Sequence, residues 1–292
     1  MRYKMENNIA KPGTIKELMA KYNVRPNKSL GQNFLVDNNI LDKIIEAGEV
    51  SESDHVVEIG PGLGSLTERL ACSADKVTVI EKDSSLIPVL KETLSEYNNI
   101  RYIEGDVLKV DWDEITEPGE RVKVIANLPY YITTPIIMGI LEQDLPVDLM
   151  VFMVQKEVAE RMVAGPTDGK DYGSLSIAVQ FYSDVEIVST VPPTVFIPRP
   201  TVDSAIVKLS RLTESAVKVQ SKEMFFKVVR ASFQQRRKTL RNSLSNVLDV
   251  PLSKDEITEA IESVGLDSRV RGEKLGLDEF GRLANEICNL LE

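Results

Sequence analysis

From residue 55 to residue 162 the chain repeats one pattern: a short apolar run rich in β-branched residues, then a segment of helical spacing. The runs at 55–59, 76–80, 100–103, 122–126 and 149–154 read as strands. The segments at 65–72 and 86–97, the stretch opening at Pro135, and 156–162 read as helices. Strands joined through helices run parallel, with the helices covering both faces of the sheet. Such a fold gathers its loops at the carboxyl ends of the strands, where ligands bind. Further strands are expected at 175–181 and 204–209, with β character at 185–191. No helix separates these closing strands, so an antiparallel hairpin should lie at one edge. Residues 191–200 hold Pro192, Pro193, Pro198 and Pro200, which exclude regular sheet or helix there.

The flanks differ from this core. Residues 1–27 are polar and broken by Pro12-Gly13 and Pro26, with a short helix expected over 14–22; they read as an N-terminal extension. The α/β domain is expected over 28–210, opening with a helix at Asn38–Ala47. Beyond Arg211 the spacing of Phe225, Phe226, Val229, Phe233, Leu240 and Leu244 is helical, and 257–264 and 279–291 are further helices. Residues 211–292 therefore read as a smaller all-α domain.

Composition removes several function classes. No run reaches the roughly 18 apolar residues of a membrane helix, and no charged-then-apolar leader opens the chain. Cys72 and Cys288 are far apart, which fits a reducing, cytoplasmic setting without a disulfide framework. With His55 as the single histidine, a metal site is not expected, because zinc needs about four N, S or carboxylate ligands. His55 opens an apolar strand and reads as structural rather than catalytic. A net charge of −10 argues against a nucleic-acid partner. The charge is uneven, however: residues 1–28 net +5 and residues 222–241 net +6. Arg236, Arg237, Lys238 and Arg241 crowd about one and a half turns of an expected helix, where four cations suit RNA phosphates.

Two constellations carry chemistry. Glu58-Ile59-Gly60-Pro61-Gly62-Leu63-Gly64 follows the first strand. Its glycine spacing is neither the dinucleotide fingerprint nor a P-loop, and Pro61 removes an N–H that would cradle a pyrophosphate. Glu81 ends the second strand, where a carboxylate can accept both ribose hydroxyls. Asp106 lies at the end of the third, where it can accept from an adenine amino group. Three such features on successive strand ends suit an adenosine without phosphate, as in S-adenosylmethionine. The second constellation is Asn127-Leu128-Pro129-Tyr130, at the strand-to-helix corner before an expected N-cap at Thr134 and Pro135 at the first helical position. The Asn127 side-chain oxygen and the Leu128 carbonyl are two acceptors for an exocyclic amino group, and Tyr130 offers a ring to stack on.

Together these residues resemble a class I S-adenosylmethionine-dependent methyltransferase of the N6-adenine type, with a Rossmann-like, mostly parallel seven-stranded sheet. Gly31-Gln32-Asn33-Phe34-Leu35, Asp171-Tyr172-Gly173-Ser174-Leu175 and the segment from Val195 to Ser204 narrow the likeness to the KsgA/RsmA family of small-subunit rRNA adenine dimethyltransferases. The resemblance implies dimethylation of N6 on two adjacent adenosines in a hairpin loop of 16S rRNA, with a role in small-subunit biogenesis. It implies a cofactor site at Asn33, Leu35, Gly60, Gly62, Glu81, Asp106 and Asn127, and a target-base site at Asn127, Leu128, Pro129 and Tyr130, with Phe196 against the base opposite Tyr130. A monomer is expected. Two rival readings stand beside it: a resistance-type methyltransferase of large-subunit rRNA, and a ribosome-assembly factor that binds RNA without chemistry.

Overall fold

The computed structural model describes residues 8–26, 31–143 and 145–292. In chain order the elements are α1 (Pro12–Lys21), β1 (Phe34–Leu35), α2 (Asn38–Ala47), β2 (His55–Ile59), α3 (Ser65–Ser73), β3 (Lys76–Glu81), α4 (Leu86–Thr93), β4 (Ile100–Glu104), β5 (Val122–Asn127), α5 (Thr133–Glu142), β6 (Val147–Gln155) and α6 (Lys156–Val163). They continue with α7 (Ser174–Tyr182), β7 (Ser183–Val191), β8 (Phe196–Ile197), β9 (Ser204–Arg211), α8 (Lys222–Gln234), α9 (Leu240–Val247), α10 (Lys254–Ser263) and α11 (Leu277–Leu291).

Seven strands form one sheet in the order β4-β3-β2-β5-β6-β9-β7. The pairs from β4 to β6 are parallel, and β9 runs antiparallel to β6, with Val151 opposite Lys208. Every residue of β2 is buried, including His55 and Glu58, so its sequence shows no alternation of buried and exposed positions. From β2 the chain moves outward through β3 and β4, then returns to the other side of β2 as β5. The strand order reverses there, and the loops after β2, β3, β4 and β5 converge on one crevice.

The chain divides into two compact units. One comprises Met1–Ala159 with Glu186–Arg211, the other Glu160–Val185 with Leu212–Glu292. The division therefore differs from a single cut after residue 210, because the helical unit also takes Glu160–Val185. Within the first unit the N-terminal residues are no detached extension. Ile9, Ala10 and Ile15 are buried in the same apolar cluster as Leu41, Leu70 and Leu90. The buried Glu68 carboxylate accepts the main-chain N–H groups of Asn8 at 3.1 Å and Ile9 at 2.8 Å. A carboxylate out of water needs donors, and these two main-chain groups supply them. His55 is likewise structural: Nδ1 meets Glu120 at 2.8 Å and Nε2 meets Thr78 Oγ1 at 2.9 Å.

Three local expectations are corrected. Residues 175–181, read as a strand, lie in the helix α7. Nearly all of that helix is buried, so its apolar run carries no period that separates helix from strand. Residues 191–200 do contain sheet, the two-residue β8, whose Phe196 pairs antiparallel with Leu35 of β1. The basic helix expected over 222–241 is two helices. Gln235 leaves helical geometry at φ −121° and ψ 59°, and the Thr239 hydroxyl caps α9 by accepting from Asn242 N–H. In the second unit the core is aromatic: Phe181 and Phe225 lie 4.7 Å apart, and the Tyr172 hydroxyl donates to the Leu275 carbonyl at 2.6 Å.

Candidate active site

The loop after β2 turns through three left-handed glycines, Gly60 at φ 68°, Gly62 at 60° and Gly64 at 90°. Two of them also have spatial reasons to lack a side chain: a Cβ on Gly62 would sit 3.1 Å from the Phe34 ring and one on Gly64 3.1 Å from Leu94, whereas one on Gly60 would project into open space with nothing within 4 Å. The backbone at Gly60 is thus bare toward the crevice and open to the close approach of a ligand.

Glu81, the last residue of β3, is buried. Its Oε1 accepts Asp83 N–H at 2.8 Å and its Oε2 accepts Gly62 N–H at 3.4 Å, tying the glycine loop to the neighbouring strand. Burial pushes its pKa above the usual carboxylate range. Glu58 sits beneath the loop. Burial, with the nearby Glu81 charge adding to it, raises its carboxyl to about 8, and its Oε2 has no hydrogen-bond partner among the described residues. Asp106, after β4, is paired with Lys82 at 2.9 Å and accepts Leu108 N–H at 3.1 Å. The Lys82 ammonium holds the Asp106 carboxyl below its ordinary value.

Asn127 ends β5. Its Nδ2 donates to the Asn33 carbonyl at 3.0 Å, and the Asn33 amide in turn donates to the Gly31 carbonyl at 3.0 Å. Leu128 N–H continues the sheet by donating to Met153. The chain then turns: Ile132 N–H returns to the Pro129 carbonyl at 3.2 Å, and the Thr133 hydroxyl reaches the same oxygen at 3.0 Å. That second bond places the start of α5 at Thr133, with Ile132 in the cap position, so Thr134 is not the N-cap and Pro135 is not the first helical residue. Tyr130 is half-buried, and its hydroxyl lies 2.7 Å from Ser204 Oγ.

One cavity brings nearly all of the sequence-derived residues together. Asn33, Leu35, Gly60, Gly62, Glu81, Asp106, Asn127, Leu128, Pro129 and Tyr130 line it. Phe196 does not. It is 1% exposed, packed in the apolar cluster behind β1, and its backbone is held by Leu35. In this structure its ring packs into that cluster and does not line the cavity. Sequence reasoning missed Tyr131 and Lys82, which line the same cavity, and left Glu58 out of the site. The adjacency of these three to Tyr130, Glu81 and the glycine loop was the available signal.

The expected RNA-facing cluster is also redistributed. The Arg236 guanidinium donates to the carbonyls of Lys170 (2.8 Å), Gly169 (2.9 Å) and Tyr172 (3.0 Å) and pairs with Glu273 at 3.5 Å. These bonds clamp the 169–172 loop within the helical unit. Arg241 pairs with Asp255 at 3.2 Å. The side chains of Arg237 and Lys238 are exposed and make no hydrogen bond or ion pair with the described residues. No group of three or more His, Cys, Asp or Glu is placed to hold a metal among the described residues, and none of their helices is long and apolar enough to cross a membrane.

The reversed parallel sheet, the glycine turn after its first long strand, the acidic strand end and the Asn-Leu-Pro-Tyr corner define a methyltransferase domain of the class I type. Residues 23–288 match the family model for ribosomal RNA adenine dimethylase, and the chain belongs to that family. It is 51% identical to ribosomal RNA small subunit methyltransferase A of Halothermothrix orenii, over 97% of this chain and 95% of that protein. It is 52% identical to the protein of the same name from Geobacillus thermodenitrificans, over 98% of this chain and 99% of that one. Among solved structures, a dimethyladenosine transferase from Plasmodium falciparum superposes with a TM-score of 0.74 at 32% identity, over 86% of this chain and 95% of that one. The 23S rRNA methyltransferase ErmE superposes with a TM-score of 0.66 at 27% identity, over 88% of this chain and all of that one.

Proposed function

We infer that this enzyme transfers methyl groups from S-adenosylmethionine to N6 of two adjacent adenosines in 16S rRNA of the small ribosomal subunit. The observation that carries the reading is the fixed orientation of Asn127. A carbonyl oxygen can only accept, so the Asn127 atom facing Asn33 is the amide nitrogen, and Oδ1 is left as the acceptor.

The residues of the cavity fit the cofactor. Glu81 retains lone pairs beyond the two N–H groups it accepts, and these suit ribose hydroxyls. The bare backbone at Gly60 admits a ligand at contact distance. Asp106 would receive an adenine amino group, and Asn33 and Leu35 would cover the methionine end. Bound there, S-adenosylmethionine supplies an electrophilic methyl group on a sulfonium.

The protein's task is then positioning and exclusion of water. An adenine N6 lone pair is delocalised into the ring and nucleophilically weak. Asn127 Oδ1 and the Leu128 carbonyl accept the two N–H bonds and turn the lone pair toward the methyl group. Tyr130 is held by Ser204 and presents its ring to the base, which leaves its stack to enter. After one transfer a single N–H remains, so one acceptor must tolerate a methyl group where a donor had been. The departing proton passes to solvent, since N6 becomes acidic once alkylated.

The sequence identity to two proteins named for the small subunit favours that particle over the large one. Incubating isolated small and large subunits separately with methyl-labelled cofactor tests the reading. Label should enter small-subunit rRNA alone; label in large-subunit rRNA alone would transfer the chain to the resistance-type reading.

A further inference from the structure

The turn that carries Tyr130 carries a second aromatic residue in the opposite condition. Tyr130 and Tyr131 are the two central residues of the turn closed by Ile132 N–H on the Pro129 carbonyl. The Tyr130 hydroxyl is bonded to Ser204. Tyr131 is 54% exposed, the largest exposure of any big apolar side chain among the described residues, and its hydroxyl has no hydrogen-bond partner there. Both side chains nevertheless line the same cavity.

Its surroundings show that the exposed ring is placed and not merely loose. Gly31 takes a left-handed φ of 60°, and a Cβ there would come within 3.5 Å of Tyr131 Cδ1 and 3.6 Å of Pro129 Cβ. The bare glycine backbone thus lies beside one edge of the ring, and about half of the side chain stays in solvent. Apart from the two tyrosines, the aromatic residue lining this cavity among the described residues is Phe34, which is buried against the glycine loop. Phe196, buried at 1% exposure, adds no ring. An aromatic ring at the rim of a nucleobase pocket, with a glycine beside its edge, matches a stacking platform for single-stranded RNA.

We propose that Tyr131 stacks on the nucleotide adjoining the target adenosine, the one that remains outside while its neighbour is in the pocket. This rests on the RNA-methylation reading above. With two adjacent adenosines as substrates, the base outside during one transfer is an adenosine or its immediate neighbour. Tyr131 would therefore set the register in which the pair is presented: Tyr130 receives the base undergoing reaction, and Tyr131 holds the next one in line.

The test compares wild type with Tyr131→Ala, Tyr131→Phe and Tyr131→Asn on small subunits lacking the modification, following each adenosine by mass spectrometry. Stacking on a base implies a loss of about five- to a hundred-fold in kcat/KM for Tyr131→Ala and a similar loss for Tyr131→Asn. Tyr131→Phe should restore the rate, because the ring and not the hydroxyl is used. Calorimetric affinity for S-adenosylhomocysteine should be unchanged in all three, which separates stacking from damage to the cavity. Loss on the alanine variant should be unequal between the two adenosines. If wild type methylates small subunits and Tyr131→Ala matches it at both adenosines, the proposal is overturned while the functional reading stands. If wild type methylates no small-subunit adenosine, the functional reading itself has failed.

Discussion

Asn127 Nδ2 donates to the main-chain carbonyl of Asn33 at 3.0 Å, across 94 positions of sequence. The bond ties the end of β5 to the segment entering β1, and it leaves Oδ1 of Asn127 as the side chain's acceptor. The Asn-Leu-Pro-Tyr corner and the segment proposed to cover the cofactor are thereby one hydrogen-bonded unit. Asn127→Ala removes the acceptor, and Asn127→Asp places an acceptor against an acceptor. Both variants should lose methyl transfer by about a hundred-fold or more, the scale of a misplaced reacting group. Calorimetry should show that Asn127→Ala still binds cofactor; methylation at the wild-type rate would contradict the role.

Glu81→Ala should weaken cofactor binding by about ten-fold or more, since hydrogen bonds to a charged group contribute roughly 1.5–3 kcal/mol. The same substitution frees Gly62 N–H and Asp83 N–H, so the glycine loop keeps only the bond from Gly60 N–H to the Ile80 carbonyl as its tie to β3. Titration calorimetry with S-adenosylhomocysteine checks this, and an unchanged Kd would remove Glu81 from the cofactor site.

The sequence made the strand ends legible because each is a β-branched run stopped by a residue with chemistry of its own. Ile59 runs into glycines, Ile80 into Glu81 and Ala126 into Asn127, and these are the residues that meet in the cavity. Burial by long-range pairing was not legible. Phe196 follows four residues after Pro192 in a segment with no visible period, and only the ladder to Leu35 takes its ring inside. Arg236 read as one more cation in a basic run, yet its guanidinium finds three carbonyls of the 169–172 loop, some 65 positions away. Nothing local distinguishes it from Arg237, which has no such partner.

That difference predicts different behaviour for neighbouring cations. Arg236→Ala should destabilise the helical unit by about 1–2 kcal/mol, the low end for hydrogen bonds to a charged group because the side chain is partly exposed. Arg237→Ala with Lys238→Ala should leave stability within about 0.5 kcal/mol of wild type. The same pair should flatten the salt dependence of small-subunit binding by up to about two units of slope, one per lost phosphate contact. Urea unfolding and binding across a salt series separate the two; an unchanged slope would make the exposed pair a solvated surface.

Glu58 predicts a pH dependence of stability. Its carboxyl rises from an ordinary value of 4.5 to about 8 on folding, because burial, with the Glu81 charge adding to it, outweighs the lowering by the Thr67 hydroxyl. A raised acid holds its proton in the folded state where the unfolded chain releases it. Its contribution is complete below pH 4.5 and is lost as pH rises through 8. Glu58→Gln stays neutral throughout and keeps the other titrating groups in place. The Tm of wild type should therefore fall relative to that of Glu58→Gln between pH 5 and pH 9. A constant difference across the range would mean that Glu58 is not buried as a neutral acid.

The most direct test of the central claim is mass spectrometry of nucleosides from small-subunit rRNA that lacks the modification, after incubation with S-adenosylmethionine and either wild type or Asn127→Ala. Wild type should yield N6,N6-dimethyladenosine at two adjacent positions, and in the same time Asn127→Ala should yield no more than about a hundredth as much methylated adenosine. Absence of N6,N6-dimethyladenosine with wild type, or its full appearance with Asn127→Ala, would contradict the account.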